Sequence, residues 1–327
     1  MLNFAVIGFG YWGPNIVRNI LQIGSNVKYI VDLMPQRRED ARKMYPSSIV
    51  TDNYDAALND RTVDAVVIVL PVSLHYPMAK KALEAGKHVL VEKPLADNSE
   101  NTKELISLAN SNGLTLMVDH TYLYSPHVEH IKQYFVSKRE KLQYFDSIRI
   151  NLGKFQRDVN VAWDLAVHDL SILNYLCNDT PKSVIATGCA HTSSGLEDIV
   201  YITLKYDKPF IAHITVSWIS PQKVRKIIIG GTDSMVVFDD VDVDKIKVFD
   251  SHFKEDPEKK DVVCTSGSIG LPSVESKETL SIMLSDFVES VEKRRTPRSS
   301  AELGLGVVKI LEAVQASLDA GGKEVNL

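Results

Sequence analysis

The feature that most constrains this chain lies in its first fifteen residues. An apolar run, 2–7, opens into Gly8-Phe9-Gly10-Tyr11-Trp12-Gly13, and Pro14 begins a stretch of helical period reaching residue 23. G-x-G-x-x-G spacing recurs by chance at tight turns and carries weight only between a strand and a helix, which is where it stands here. In that setting Gly8 permits the turn, Gly10 lets the backbone approach a pyrophosphate, and Gly13 lets the helix lie close to the strand. Pro14 falls in the first helical turn, where its missing N–H costs little. The helix N-terminus then offers free N–H groups and a positive dipole end to phosphates. All six residues of the loop are read as a dinucleotide cradle. Asp32 closes the next apolar run, nineteen residues after Gly13. An acid there accepts hydrogen bonds from both ribose hydroxyls and repels a 2′-phosphate, which favours NAD over NADP. Arg37 and Arg38 follow closely and give NADP a competing foothold.

Apolar runs at 26–31, 64–70, 87–91 and 114–118 repeat the plan of the first, separated by helix-period stretches at 14–23, 36–45, 75–85 and 100–111. Continuous β-branched runs are typical of strands covered on both faces. The first half therefore predicts a doubly wound parallel sheet. After Asp119 the texture changes. Segments 144–152, 183–191, 198–206, 210–217, 224–229 and 235–239 read as strands, mostly joined by short turns, with one helix at about 163–176. That pattern predicts a C-terminal α/β domain with a large, mostly antiparallel open sheet. Segment 251–276, charged and then Ser/Gly-rich, reads as a mobile loop. Two helices close the chain, near 278–293 and 301–318. The last opens with a capping box, Ser299-x-x-Glu302, and carries Leu303, Val307, Ile310, Leu311, Val314 and Leu318 on one stripe.

Composition removes whole classes of function. With 37 Lys+Arg against 42 Asp+Glu, a net charge of −5, the chain lacks the basic balance that a phosphate backbone requires, so no nucleic-acid partner is expected. No apolar run approaches the roughly 18 residues of a membrane span. The N-terminus has neither a basic leader nor a cleavage site. Cys177, Cys189 and Cys264 lack C-x-x-C spacing. The expectation is a cytoplasmic protein with reduced thiols and no membrane partner.

Ligands of doubly wound sheets bind beyond the carboxyl ends of the strands. Leu70, Pro71 and His75 stand there after one run, and Glu92-Lys93-Pro94 after another. These residues are expected at the cofactor, with helix capping as the alternative for His75. In the second half, Asp164 and His168 are four residues apart near a helix start and share one face. Oxidising an alcohol by hydride transfer needs a base for the hydroxyl proton and a cation for the developing alkoxide. Histidine titrates near neutrality and suits the first task. Lys93 suits the second, and a lowered pKa would let it share the proton. Asp164 and His168 lack the further ligands that zinc requires, so no metal is expected. Lys154, Arg157 and Asn160 lie on the loop leading into that helix and are expected on the substrate side. The planar fork of arginine matches phosphate oxygens. The competing reading pairs Arg157 with Asp158 or Asp164.

Four of these motifs carry a resemblance to a known family: GFGYWGPN at 8–15, P-x-x-x-H from Pro71 to His75, AGKHVLVEKP at 85–94 and D-x-x-x-H from Asp164 to His168. Over essentially its whole length the chain resembles the Gfo/Idh/MocA family of NAD(P)-dependent oxidoreductases. The resemblance implies an N-terminal Rossmann domain at 1–121 and a C-terminal α/β domain for substrate and oligomerisation at 122–298. It also implies homodimers or homotetramers formed through the open sheet, and a last helix, about 299–320, returning near the first domain. Lys93, Asp164 and His168 match the family's catalytic positions, and which of them takes the proton varies. A closer resemblance, carried by GYWGPN, His120-Thr121-Tyr122-Leu123-Tyr124, the run 151–164 and SWISPQKVR at 217–225, is to UDP-N-acetylglucosamine 3-dehydrogenases and related UDP-sugar 3-dehydrogenases. It implies NAD-dependent oxidation at C3 of a UDP-linked N-acetylamino sugar. Tyr124 then joins Lys93, Lys154, Arg157, Asn160 and His168 around the substrate. The alternatives are a dehydrogenase or ketoreductase for a free polyol or hexose such as an inositol, and a non-catalytic NAD-binding sensor. A sensor would be expected to lack the lysine or the histidine.

Overall fold

The computed structural model describes every residue from Met1 to Leu327 except Pro257 and Lys259. It divides into two compact units, 1–124 with 277–308, and 125–276 with 309–327. In the first unit, β1 (Asn3–Ile7), β2 (Asn26–Val31), β3 (Ile49–Thr51), β4 (Ala65–Ile68), β5 (His88–Glu92) and β6 (Leu116–Asp119) form one sheet. Its order is β3-β2-β1-β4-β5-β6, with every pair parallel. This is the doubly wound dinucleotide-binding order, whose direction reverses between β1 and β4. All four residues of β4 are buried, as a strand covered on both faces requires. Helices α1 (Gly13–Gln22), α2 (Pro35–Met44), α3 (Tyr54–Asn59), α4 (His75–Glu84) and α5 (Ser99–Ser111) make the connections. Asn53 and Asn98 cap α3 and α5 by accepting from the backbone N–H groups of Ala56 and Asn101. Neither β3 nor α3 was expected, because three and six residues are too short to display a period.

The second unit begins with α6 (Pro126–Lys138), which sequence reading missed. Its buried side, Val128, Ile131 and Phe135, is interleaved with histidines and charges. The unit continues through β7 (Leu142–Leu152), α7 (Val167–Cys177), β8 (Ser183–Cys189), β9 (Ile199–Lys205), β10 (Ile211–Ser217), β11 (Ile219–Gly231), β12 (Met235–Asp239), β13 (Ile246–Asp256) and β14 (Asp261–Gly270). With β15 (Val325–Asn326) these strands form a nine-stranded sheet, in which β7 and β10 are the parallel pair and the other pairings are antiparallel. β9 alternates cleanly, with Val200, Ile202 and Leu204 buried. A buried bidentate ion pair fastens α7 to β7: Arg149 Nε and Nη2 donate to Asp169 at 2.7 and 3.1 Å.

Three expectations need correction. Segment 251–276 is not a loop over most of its length. It supplies part of β13 and all of β14, an antiparallel edge hairpin. Pro257 and Lys259 within it lie outside the described residues. β14 is exposed throughout, so backbone pairing rather than apolar burial makes it a strand, and composition carries no trace of that. Second, α8 (Thr279–Lys293) groups with the first unit rather than with 122–298. It buries Leu280, Met283, Leu284 and Phe287, and the Phe287 ring lies 6.0 Å from that of Phe4. Third, Ser299 does not cap α9 (Ala301–Asp319). Its hydroxyl donates to the Val118 carbonyl at 2.6 Å, and Ser300 Oγ accepts from Leu303 N instead. The first turns of α9 lie tight against β6: a Cβ on Gly304 would stand 2.7 Å from Val118 Cγ2. The rest of α9 belongs to the second unit. Among the described residues no helix is long and apolar enough to cross a membrane.

Candidate active site

The glycine loop has the shape its spacing predicts. Gly8 sits at φ +100°, and a Cβ there would lie 2.2 Å from the Val69 carbonyl oxygen. A Cβ on Gly13 would lie 2.5 Å from the carbonyl of Gly8. Both positions exclude any side chain. Gly10 is different, because a Cβ there meets only the guanidinium of Arg37, at 3.5 Å, and its backbone stays approachable. Phe9 is buried, packs edge-on against Tyr45 and donates its N–H to Asp32 Oδ2 at 2.8 Å. Tyr11 is fully exposed and Trp12 half-buried. No side chain caps α1 and no acid stands in its first turn, so the positive dipole end is uncompensated there. These residues fit a dinucleotide. Asp32 is buried beneath the loop, also accepts from Met34 N, and lies 3.5 Å from Arg37, whose side chain is half-exposed.

The edge beyond β4 and β5 is held together by His75. Its Nδ1 lies 2.7 Å from the Pro94 carbonyl and its Nε2 2.8 Å from the Leu70 carbonyl. The ring is 1% exposed and ties the two turns to each other. Cofactor contact and helix capping are both corrected by this geometry: His75 is a clamp. Leu70 is half-buried and Pro71 exposed at the same edge. Glu92 accepts from the N–H of Lys93, and the Lys93–Pro94 peptide is cis. Glu92 pairs in register with Asp119 on β6, so Lys93 and His120 follow adjacent strand ends. Asp119 is buried and accepts from Thr121 Oγ1 at 2.5 Å and from Trp12 Nε1 at 3.5 Å. Burial pushes its carboxyl above the usual range, and the Lys93 charge and those hydrogen bonds oppose this.

Tyr124 is a correction. It is 2% exposed, its hydroxyl donates to Asp286 at 2.6 Å and accepts from Ser299 N, and burial raises its pKa. It braces α8 rather than facing a substrate.

In the second unit the helix bearing Asp164 and His168 starts with a π turn, Ala162–Ala166, before α7. Such turns are rare and frequent at functional sites. Asn160 builds the entry. Its Oδ1 accepts from the N–H groups of Ala162 and Trp163, and its Nδ2 donates to Glu197 and Gln315 at 2.8 and 2.9 Å. At 2% exposure Asn160 is a cap rather than the substrate contact expected of it. Asp164 is held by Trp218, whose indole N–H donates to Oδ2 at 3.0 Å, and by Gln156 at 3.5 Å. Phe155 packs on Trp218 with ring centroids 5.3 Å apart. His168 is half-buried, one residue before the Asp169 that anchors α7. Lys154 and Arg157 are exposed, and neither enters an ion pair among the described residues, against the reading that pairs Arg157 with Asp158 or Asp164. Sequence reading missed Trp218, Gln156, Asp119 and His120. All four nevertheless lie in or beside the segments 217–225, 151–164 and 120–124 singled out for their resemblance.

The pattern of an oxidoreductase family with an NAD-binding Rossmann fold matches residues 2–120, and the GFO/IDH/MocA C-terminal domain matches 147–237. The chain belongs to the Gfo/Idh/MocA family of oxidoreductases. Its curated relatives include the uncharacterised oxidoreductase YrbE of Bacillus subtilis, 27% identical over 64% of this chain and 65% of that protein, so the match spans under two thirds of the relative's length. The UDP-N-acetylglucosamine 3-dehydrogenase of Acidithiobacillus ferrooxidans is 29% identical over 50% of this chain and 52% of its own. A solved structure of that enzyme, GnnA, superposes with a TM-score of 0.84 over 98% of both chains at 22% identity, which establishes the shared fold. The scyllo-inositol 2-dehydrogenase (NADP+) IolW of Bacillus subtilis is 23% identical over 97% of this chain and 93% of its own.

Proposed function

We propose that this oxidoreductase is an NAD-dependent dehydrogenase that converts a sugar hydroxyl to a ketone, acting at C3 of a UDP-linked N-acetylamino sugar. The observation that carries the reading is that one chain joins a glycine cradle backed by Asp32, a strand-end Lys93, and a helix bearing Asp164 and His168. NAD bound in the glycine cradle would supply the acceptor for a hydride from the carbinol carbon. His168 or Lys93 accepts the hydroxyl proton, and the lysine ammonium steadies the oxygen as charge builds. Asp164, fixed by Trp218, orients the histidine and its substrate. Lys154 and Arg157, exposed and without ion pairs among the described residues, hold the pyrophosphate. We place the protein in the cytoplasm as a homodimer or homotetramer joined through the open sheet.

The test is absorbance at 340 nm with NAD and UDP-N-acetylglucosamine, with mass detection of a 3-keto product. No turnover of UDP-sugars alongside turnover of inositols or hexoses would replace this reading with the free-polyol one, which the nearly full-length alignment with the inositol enzyme favours. Asp32 underlies the cofactor preference. Asp32→Ala is expected to weaken NAD binding and narrow the gap to NADP, and wild-type turnover equal or better with NADP would point to Arg37 as a phosphate ligand instead.

A further inference from the structure

Arg37 and Arg38 are neighbours in the first turn of α2, yet their guanidinium groups go to different places. That of Arg37 is half-exposed and stands 3.5 Å from Asp32 Oδ2. That of Arg38 turns inward, with 15% of the side chain exposed. Its Nη1 donates to the carbonyls of Asp32 and Leu33 at 2.9 and 2.8 Å, and its Nη2 pairs with Asp52 at 3.2 Å. One planar fork therefore ties α2 to the end of β2 and, through Asp52, to the segment just past β3. The two carbonyls belong to the turn that aims the Asp32 carboxylate. There Asp32 Oδ1 accepts from Met34 N and Oδ2 from Phe9 N, each at 2.8 Å. Oδ1 keeps a second lone pair for a ribose hydroxyl.

We propose that Arg38 is a positioning residue for cofactor choice: it locks the turn after β2 so that Asp32 presents its carboxylate to the ribose of NAD, and it is not a ligand for the 2′-phosphate of NADP. The inference rests on the NAD-preferring reading above. NAD gains from a well-aimed carboxylate, whereas the 2′-phosphate of NADP replaces the hydroxyl that the carboxylate would bind. Loosening the turn therefore weakens NAD and spares NADP. A direct phosphate role gives the reverse, because loss of Arg38 would then remove a charge-assisted bond from NADP alone.

The experiment is calorimetric titration of the full chain with NAD and with NADP. Arg38→Met keeps an unbranched stem and removes the fork. NAD should then bind roughly tenfold more weakly, about what one or two hydrogen bonds are worth, with NADP within twofold of wild type. The ratio Kd(NADP)/Kd(NAD) should fall accordingly. A ratio that stays put, as equal weakening of both would leave it, overturns the proposal. So does a ratio that rises because NADP loses more than NAD. Arg38→Lys keeps the charge but not the fork, and should lower the ratio by roughly two- to fivefold. If Arg38→Met does not fold, Arg38→Lys decides on the same criterion. A wild-type chain that binds NADP at least as tightly as NAD would instead remove the NAD-preferring reading itself, and would do so before any variant is made.

Discussion

The glycine loop at 8–13 and the loop at 153–161 each lead into a helix, yet they are built by opposite means. In the first, backbone does the work: Gly8 takes a φ closed to other residues, and Gly8 and Gly13 leave no volume for a Cβ. In the second, side chains from segments distant in the chain do it. Asn160 caps the π turn while reaching Glu197 and Gln315, and Trp218 holds Asp164 across 54 positions of sequence. A loop specified by backbone advertises itself through glycine spacing. A loop specified by long-range packing leaves little local mark.

Predictions that would break or sharpen this contrast follow in order of expected effect. Lys93→Met and His168→Ala should each lower kcat by roughly 10²–10⁴-fold, the range for positioned acid–base groups. His168→Ala should leave NAD affinity unchanged, because that residue belongs to the second unit. Near-normal turnover in both variants would show that the active site lies elsewhere. Next come the glycines. Gly8→Ala combines backbone strain with a clash against the Val69 carbonyl and should cost about 3 kcal/mol of stability. Gly10→Ala should leave the melting temperature nearly unchanged while raising the Kd for NAD. Equal destabilisation by both, read in thermal melts, would refute the division of labour within the loop.

Trp218→Phe removes the indole donor to a carboxylate and should reduce kcat roughly ten- to a hundredfold, since bonds to charged groups exceed neutral ones. A stability loss without a kcat change would make Trp218 a core residue only. Smallest is Arg157→Ala. KM for a nucleotide-sugar should rise about tenfold more than for the sugar alone, with the melting temperature intact. A uniform rise for charged and uncharged sugars would move the free-polyol reading ahead.

The parallel sheet was legible because strands covered on both faces must be apolar throughout, and 26–31 was bounded to the residue. The glycine loop was legible because only glycine satisfies its geometry at positions 8 and 13. Lys93 and the Asp164/His168 spacing were visible as residue types at expected edges, and their meaning came from resemblance. Tertiary structure decided the rest. His75 became a clamp and Asn160 a cap because each sits where several backbone groups need a partner, a condition met only after distant segments meet. Tyr124 became a brace because α8, 162 positions away at Asp286, folds against it. The capping serine moved from Ser299 to Ser300 because β6 claims the Ser299 hydroxyl. Local sequence determines which backbone conformations and burial patterns a segment can adopt. Which polar atoms are spent on structure and which stay exposed is settled by neighbours far away in the chain: Asn160 is consumed by Glu197 and Gln315, while Arg157 three residues earlier stays exposed.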